Sequence, residues 1–152
     1  MLSHFKGPTT SPLIQSTIGE ALVVAAAKWG DRDALVSVHQ QLRFTYSQFL
    51  EHVDRLASNL IALGLEKGDR IGIWAPNCAE WVLTQFAAAR AGLVFVTINP
   101  AYRLHEAEYT FNKVGVRALV DRKLWLLDSA SLLAEAIGRM HEGRSLTELL
   151  EA

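Results

Sequence analysis

The side chains that could do chemistry are few and stand apart from one another. Cys78, the single cysteine, precedes a helical pattern whose N-terminus could lower the pKa of its thiol, but no base is identifiable nearby in sequence. His105 and Glu108 share a helix face, as two metal ligands would, without a third ligand in view. His141-Glu142 begins like the zinc motif His-Glu-x-x-His and lacks the second histidine. We therefore predict no catalytic residue, no cofactor-binding residue and no metal ligand.

The residues expected to contact a substrate are a different set, Asn99, Pro100 and Tyr102. They follow a continuous apolar run, Leu93–Ile98, which we predict to be a strand buried on both faces. Sheets with alternating strands and helices bind ligands outside the carboxyl ends of their strands. These three residues are therefore predicted to be adjacent to substrate.

Four aromatic side chains allow two interpretations, as the lining of an apolar substrate pocket or as packing of the core. They recur at strand and helix spacing, which favours the core. They are Trp74, Trp81, Phe86 and Phe95.

Two glycine-containing segments have the look of phosphate loops. Gly7–Ser11 has no preceding strand and no following lysine, so we interpret it as part of an irregular arm over residues 1–16. Gly64–Gly68 has neither phosphate-loop spacing, so we interpret it as a helix end followed by a turn.

Composition excludes several classes of function. The 152 residues carry a net charge of −1 and scattered basic residues, which gives no attraction to nucleic acid. No apolar run approaches the ~20 residues that span a bilayer. A lone cysteine and the absence of a signal-peptide pattern predict a cytoplasmic protein.

The elements that would position these residues alternate along the chain. Helices are predicted over residues 17–29, 45–63, 78–91 and 104–113. Strands are predicted over residues 34–38, 42–44, 70–74, 93–98 and 116–120, the first two forming a hairpin. Thr45 with Gln48, and Asn77 with Glu80, are the expected caps of the second and third helices.

This order predicts an α/β fold, with a short parallel sheet and crossover helices that follow a first helix and a β-hairpin. The alternation of strands and helices stops after Val120. We predict a leucine-rich helical tail, with a helix starting at Leu124, a last helix capped by Ser145 and Glu148, and no further strand.

Three segments carry motifs that matter by their order along the chain. Leu42–Phe49 contains Thr-Tyr-Ser-Gln. Gly64–Asn77 contains Lys-Gly-Asp-Arg and ends in Pro-Asn, and Ala89–Pro100 contains Arg-Ala-Gly and ends in Asn-Pro. Together, in this order, they resemble the adenylate-forming, or AMP-binding, superfamily that includes acyl-CoA synthetases. The stretch Asn99–Tyr109 looks closest to the branch that acts on medium-chain fatty acids. The resemblance implies that residues 17–120 are part of the N-terminal domain of such a synthetase, and it does not extend over residues 121–152.

The resemblance implies activation of a fatty acid by ATP and Mg²⁺ to an acyl-adenylate, followed by transfer to CoA. It also makes the mitochondrial matrix an alternative compartment. The family's ATP loop ending in Pro-Lys-Gly, its Tyr-Gly-x-Thr-Glu segment and its C-terminal lysine do not occur here.

Three hypotheses about the whole chain remain open. The first is a truncated ligase that lacks its C-terminal portion and is inactive alone. The second is one half of a split ligase, completed in trans. The third is a non-catalytic interaction module. Acyl-chain length, oligomeric state and the origin of the tail cannot be read from the sequence.

Overall fold

The computed structural model describes residues 7–8, 10, 13–120 and 124–126. Within them, four helices and six strands follow one another along the chain. The elements are α1 (Ile18–Trp29), β1 (Asp33–Ser37), β2 (Leu42–Thr45), α2 (Tyr46–Ala62), β3 (Arg70–Ile73), α3 (Ala79–Ala91), β4 (Val94–Thr97), α4 (Leu104–Val114), β5 (Val116–Val120) and β6 (Leu124–Leu126).

Local sequence signals determine where several helices begin and end. At the start of α2, the Gln48 amide donates to Thr45 Oγ1 at 3.3 Å while the Thr45 amide donates to Gln48 Oε1 at 3.0 Å. This reciprocal pair is the predicted capping box, and it satisfies two amides that have no partner inside the helix. At the ends of α3 and α4, Gly92 and Gly115 have φ of 73° and 62°. A side chain disfavours this left-handed conformation, so glycine suits both positions.

The sheet has the order β4-β3-β5-β6, and its first three strands are parallel. The predicted α/β fold with a parallel sheet and crossover helices is confirmed. The hairpin of β1 and β2 is a separate antiparallel pair, also as predicted. The central strand of the parallel set is β3, which pairs Ile71 with Phe95 on one side and with Ala118 on the other.

The two faces of the sheet carry two separate cores. Ile71 and Ala118 belong to a cluster with Ala87 and Ala88 of α3. Leu119, the next residue of β5, belongs instead to a second cluster. Its other buried members are Ile98, Ala107, Phe111 and Val116. Because successive strand residues point to opposite faces, α3 and α4 lie on opposite sides of the sheet.

Gly72 lets the second core approach β3 closely. A Cβ at this position would lie 2.8 Å from Ile98 Cδ1 and 3.2 Å from Val116 Cγ1, both shorter than ordinary van der Waals contact. Glycine is therefore required here by packing and not by backbone conformation.

The first core also holds the helical layer together. The predicted apolar stripe of α2 is buried at Phe49, Val53, Ala57 and Leu60. A salt bridge of 2.6 Å joins Asp54 of α2 to Arg90 of α3 at the surface of this layer.

Two predictions about strands are wrong. β4 is not buried on both faces: Val94 is 49% exposed, and Thr97, which points to the opposite face, is also exposed. An apolar run indicates burial, but it does not show how fully other elements cover each face, nor that β4 lies at one edge of the described sheet. Leu124–Leu126, expected to begin a helix in a tail without strands, instead forms β6 antiparallel to β5. An apolar run this short fits a strand or a helix equally well, and pairing with β5 decides it.

The rest of the predicted tail, residues 127–152, lies outside the described residues. None of the described helices is both long enough and apolar enough to cross a membrane.

Candidate functional site at the carboxyl edge of the sheet

The carboxyl ends of β3, β4 and β5 meet at one edge of the sheet. There the amide of Trp74, just after β3, donates to the carbonyl of Val120 at 2.8 Å. The amide of Ile98, just after β4, donates to the carbonyl of Ile73 at 2.9 Å. The loops that follow β3 and β4 then turn to opposite faces, because α3 and α4 lie on opposite faces. A crevice between two such loops is where sheets of this kind bind ligands.

The three residues predicted to be adjacent to substrate form a tight turn at this edge. Asn99 Oδ1 accepts a hydrogen bond from the amide of Ala101 at 2.9 Å, and the Asn99 carbonyl accepts one from the amide of Tyr102 at 3.0 Å. Asn99 and Pro100 are exposed, and Tyr102 is 37% exposed. The structure thus brings Asn99, Pro100 and Tyr102 together, and their role toward substrate stays a prediction.

Trp74 links the ends of two strands. Its indole Nε1 donates to the Asn99 carbonyl at 3.1 Å, and its ring stands edge-on to Phe111 with centroids 6.3 Å apart. The sequence pattern allowed Trp74 to line a pocket or to pack in the core, and it did not reveal this hydrogen bond. No sequence signal reveals it, because 25 residues separate the donor from the acceptor.

Of the other three aromatic residues, Phe86 and Phe95 pack against the first core, and Trp81 contacts Phe95. Phe86 stands edge-on to Phe49 with centroids 5.4 Å apart, and Trp81 stands edge-on to Phe95 at 5.1 Å. Both are favourable geometries for aromatic pairs. These contacts support the interpretation of these side chains as core rather than as the lining of an acyl pocket.

The start of α3 is capped from a distance, which corrects the predicted cap by Asn77 and Glu80. The residue at the cap position is Cys78, and its side chain makes no capping hydrogen bond. Instead Gln40, in the turn of the β1–β2 hairpin, accepts the Ala79 amide on its Oε1 at 2.7 Å. The local pattern was misleading because a side chain 39 residues away reaches this amide.

Gln40 also binds two other side chains. Its Oε1 accepts a hydrogen bond from Ser37 Oγ at 2.7 Å, and its Nε2 donates to Glu80 Oε2 at 2.8 Å. This last bond is the main reason that the pKa of the Glu80 carboxyl is lowered. We call these four residues, Ser37, Gln40, Ala79 and Glu80, the hairpin latch.

Cys78 lies beside the latch and is half-buried. Burial raises the pKa of the Cys78 thiol, with the nearby Glu80 carboxylate acting in the same direction. A raised pKa disfavours the reactive thiolate, so the structure opposes the alternative of an activated cysteine at this helix N-terminus.

The Gly64–Asp69 segment is a turn, as predicted. The amides of Gly64 and Leu65 donate to carbonyls of α2, and the amide of Gly68 donates to the Gly92 carbonyl at 2.9 Å. The amide of Glu66 donates to Asp69 Oδ2 at 2.8 Å, and the amide of Asp69 donates to the Glu66 carbonyl at 2.9 Å. Amides already paired inside the protein cannot cradle a phosphate, so these residues do not fit a nucleotide loop.

No group of three histidine, cysteine, aspartate or glutamate side chains that could hold a metal ion occurs among the described residues. His105 is exposed and Glu108 half-buried on α4. His141-Glu142 lies outside the part of the chain that the structure describes.

Comparison with known proteins gives a consistent result. The profile of the AMP-binding enzyme family matches residues 22–149, a range that runs past Val120. The mitochondrial medium-chain acyl-CoA ligase of Rattus norvegicus is 46% identical over 119 residues, covering 78% of this chain and 19% of that protein. The corresponding ligase of Danio rerio is 42% identical over 118 residues, covering 78% of this chain and 20% of that protein. The chain therefore spans about a fifth of the length of these relatives.

Solved structures resemble the same part of the fold. The N-terminal domain of FACL13 from Mycobacterium tuberculosis superposes with a TM-score of 0.67 at 30% identity, covering 69% of this chain and 26% of that one. A fatty acyl CoA synthetase of the same organism gives a TM-score of 0.67 at 30% identity, covering 69% and 21%.

Proposed function

This chain belongs to the AMP-binding enzyme family, and from that membership we propose that it forms the N-terminal part of an ATP-dependent acyl-CoA ligase. In the proposed reaction, a fatty acid carboxylate attacks the α-phosphorus of ATP, which gives an acyl-adenylate and releases pyrophosphate. The thiol of CoA then attacks the acyl carbon, which gives the thioester and releases AMP. The observation that carries the proposal is the match of residues 22–149 to the family together with relatives that are acyl-CoA ligases.

We assign the described residues a structural part in this reaction. Adenylation needs donors and a cation where charge develops on the transferred phosphate. The amides already paired in the turn after α2 do not fit such a donor set; they are those of Gly64, Leu65, Glu66, Gly68 and Asp69. Among the described residues, no group of three or more histidine, cysteine, aspartate or glutamate side chains could hold a metal ion. In our proposal, the groups that bind ATP, Mg²⁺ and CoA come from other residues of the ligase, in a continuing polypeptide or a second chain.

The exposed edge of the sheet supports this assignment. Within the described residues, β4 is paired only with β3, and Val94, its first residue, is 49% exposed. An open strand edge invites pairing with another segment. We propose that the rest of the ligase covers this edge.

At the carboxyl edge, we propose that the turn of Asn99, Pro100 and Tyr102 lies beside the acyl substrate. Support comes from the crevice between the loops after β3 and β4, the position at which such sheets bind ligands. The names of the rat and zebrafish relatives suggest a medium-chain fatty acid as that substrate.

The test is acyl-dependent exchange of pyrophosphate into ATP. It is measured on the purified chain and on the chain co-expressed with the part of the rat ligase that follows the matched segment. We expect background exchange from the chain alone, and both co-purification and exchange from the pair. The rat part expressed alone is the control.

Two results would contradict the proposal. Robust exchange by the chain alone would show that its own residues bind ATP. A stable pair without any exchange would show that this chain does not complete a ligase. If the chain instead elutes as a monomer in size-exclusion chromatography and does not bind the rat ligase part, the hypothesis of a non-catalytic interaction module is favoured.

The compartment is proposed separately. We propose the cytoplasm for this chain, with the mitochondrion as the alternative because the relatives from rat and zebrafish are mitochondrial by name. Fractionation of cells that express a C-terminally tagged chain distinguishes the two.

A further inference from the structure

We propose that Trp74 is a positioning residue, which holds the turn of Asn99–Tyr102 in place and thereby sets how tightly the assembled ligase binds its fatty acid. The inference rests on the proposed function and adds a residue to its site. It starts from the crevice between the loops that follow β3 and β4, because the Trp74 side chain bridges that crevice.

Trp74 is tied to three elements. Its amide donates to the Val120 carbonyl at the end of β5, at 2.8 Å. Its indole Nε1 donates to the Asn99 carbonyl beyond β4, at 3.1 Å. Its ring stands at 73° to that of Phe111 of α4, which is only 1% exposed. With its backbone held at one point and its side chain at two, Trp74 has a fixed orientation, so it can fix what it binds.

Within the turn, Asn99 accepts both internal hydrogen bonds. These two bonds, from the Ala101 and Tyr102 amides to Asn99, lie within the turn and do not join it to the neighbouring strand. The backbone bond from Ile98 to Ile73 stops one residue before the turn. The indole bond is therefore the side-chain contact that anchors the turn to the neighbouring strand within the described residues.

Packing alone is the competing explanation, and W74F separates the two. Phenylalanine retains an aromatic ring against Phe111 and loses the N–H donor. The matched control is W81F, because Trp81 also stands edge-on to a phenylalanine and its indole donates no hydrogen bond within the described residues. Both variants lose an indole, and only W74F loses an anchor.

The first measurement is amide hydrogen exchange on the purified chain. Loss of one neutral hydrogen bond should speed exchange at Ala101 and Tyr102 about fivefold, since these amides open with the turn. W81F should leave their exchange unchanged. If W74F does not fold, replacing Trp74 by its benzothienyl analogue, which has sulfur in place of the indole N–H, removes the donor while preserving the shape of the ring.

The second measurement uses the assembled ligase, with octanoate as the fatty acid. W74F should raise the KM for octanoate about fivefold, the effect of one weakened positioning contact, and leave kcat within about twofold. W81F should change neither constant. A purely structural role would lower the amount of active enzyme and not the KM.

Each outcome decides a separate point. Unchanged exchange at Ala101 and Tyr102 in W74F would overturn the positioning role, whatever the ligase does. Faster exchange with an unchanged KM in an active pair would overturn the link to substrate. An inactive wild-type pair would overturn the proposed function and the substrate link together, while the exchange measurement would still support or overturn the anchoring of the turn.

Discussion

Replacing Gln40 by alanine removes every hydrogen bond of the hairpin latch that its side chain makes. The Ala79 amide loses its acceptor at 2.7 Å, the Ser37 hydroxyl loses an acceptor at 2.7 Å, and Glu80 loses a donor at 2.8 Å. The change touches neither the sheet nor the carboxyl-edge turn. Its effect therefore measures how strongly the hairpin is bound to α3.

The three bonds are unequal. Loss of a helix cap costs about 1 kcal/mol, because an amide at the helix start is left without a partner. Ser37 is only 8% exposed, and without Gln40 its hydroxyl keeps only the longer contact of 3.4 Å with His39 Nδ1, so losing the shorter bond costs about 1 kcal/mol more. Glu80 is exposed and rehydrates, so its bond contributes little beside these two losses. The expected loss in the free energy of unfolding is about 2 kcal/mol.

The assay is thermal unfolding followed by circular dichroism, together with amide exchange at Ala79. A loss of about 2 kcal/mol should lower the Tm by about 6 °C in a chain of this size. The control is Gln41→Ala, which deletes the same side chain from the neighbouring exposed position. Gln41 has φ of 55°, and alanine carries the same Cβ, so the control adds no new backbone strain.

One result would refute the reasoning. If Gln40→Ala lowers the Tm no more than Gln41→Ala and leaves Ala79 exchange slow, then Gln40 does not cap α3. The helix would then have to find its cap locally, as the sequence pattern indicated.

Three further changes test other contacts. The pKa of Glu80 is lowered from the usual 4.5 on folding, so the ionised carboxylate stabilises the folded state above pH 4.5. The free energy of unfolding should therefore fall as the pH drops below 4.5. In urea unfolding at a series of pH values, Glu80→Gln should make this fall smaller. Gly72→Ala should lower the free energy of unfolding by about 2 kcal/mol through overpacking. Adding Ile98→Val removes the Cδ1 atom that would lie 2.8 Å from the new Cβ, so the double variant should regain part of this loss in denaturant titrations. Asp54→Asn should cost less than about 1 kcal/mol by urea unfolding, since its salt bridge to Arg90 is partly exposed; a larger loss would mean that the pair is buried in solution.

Much of the fold follows from local patterns, because the interactions that produce it lie within a few residues. The capping box of Thr45 and Gln48 joins residues three apart, and the apolar stripe of α2 follows from helix periodicity. Gly92 and Gly115 end their helices because glycine tolerates positive φ. The alternation of strands with helices then implies the parallel sheet.

The candidate site was predicted only in part. Asn99, Pro100 and Tyr102 could be placed at a strand end, since an apolar run followed by Asn-Pro marks where a strand stops. The hydrogen bond of Trp74 could not be predicted, because the pairing of β3 with β4 determines which carbonyl its indole reaches. The edge position of β4 was missed for a similar reason, since the order of strands depends on contacts between distant segments.

By itself, the sequence determined the family, the number and type of most elements, and the ends of the helices, because motif order, periodicity and capping are local properties. Only the tertiary structure decided which side chain caps α3, which strand lies at the edge, and what anchors the turn at Asn99. Gln40 and Ala79 are 39 residues apart in sequence and 2.7 Å apart between their bonded atoms. Hydrogen bonding acts over that second distance, and no local pattern encodes it.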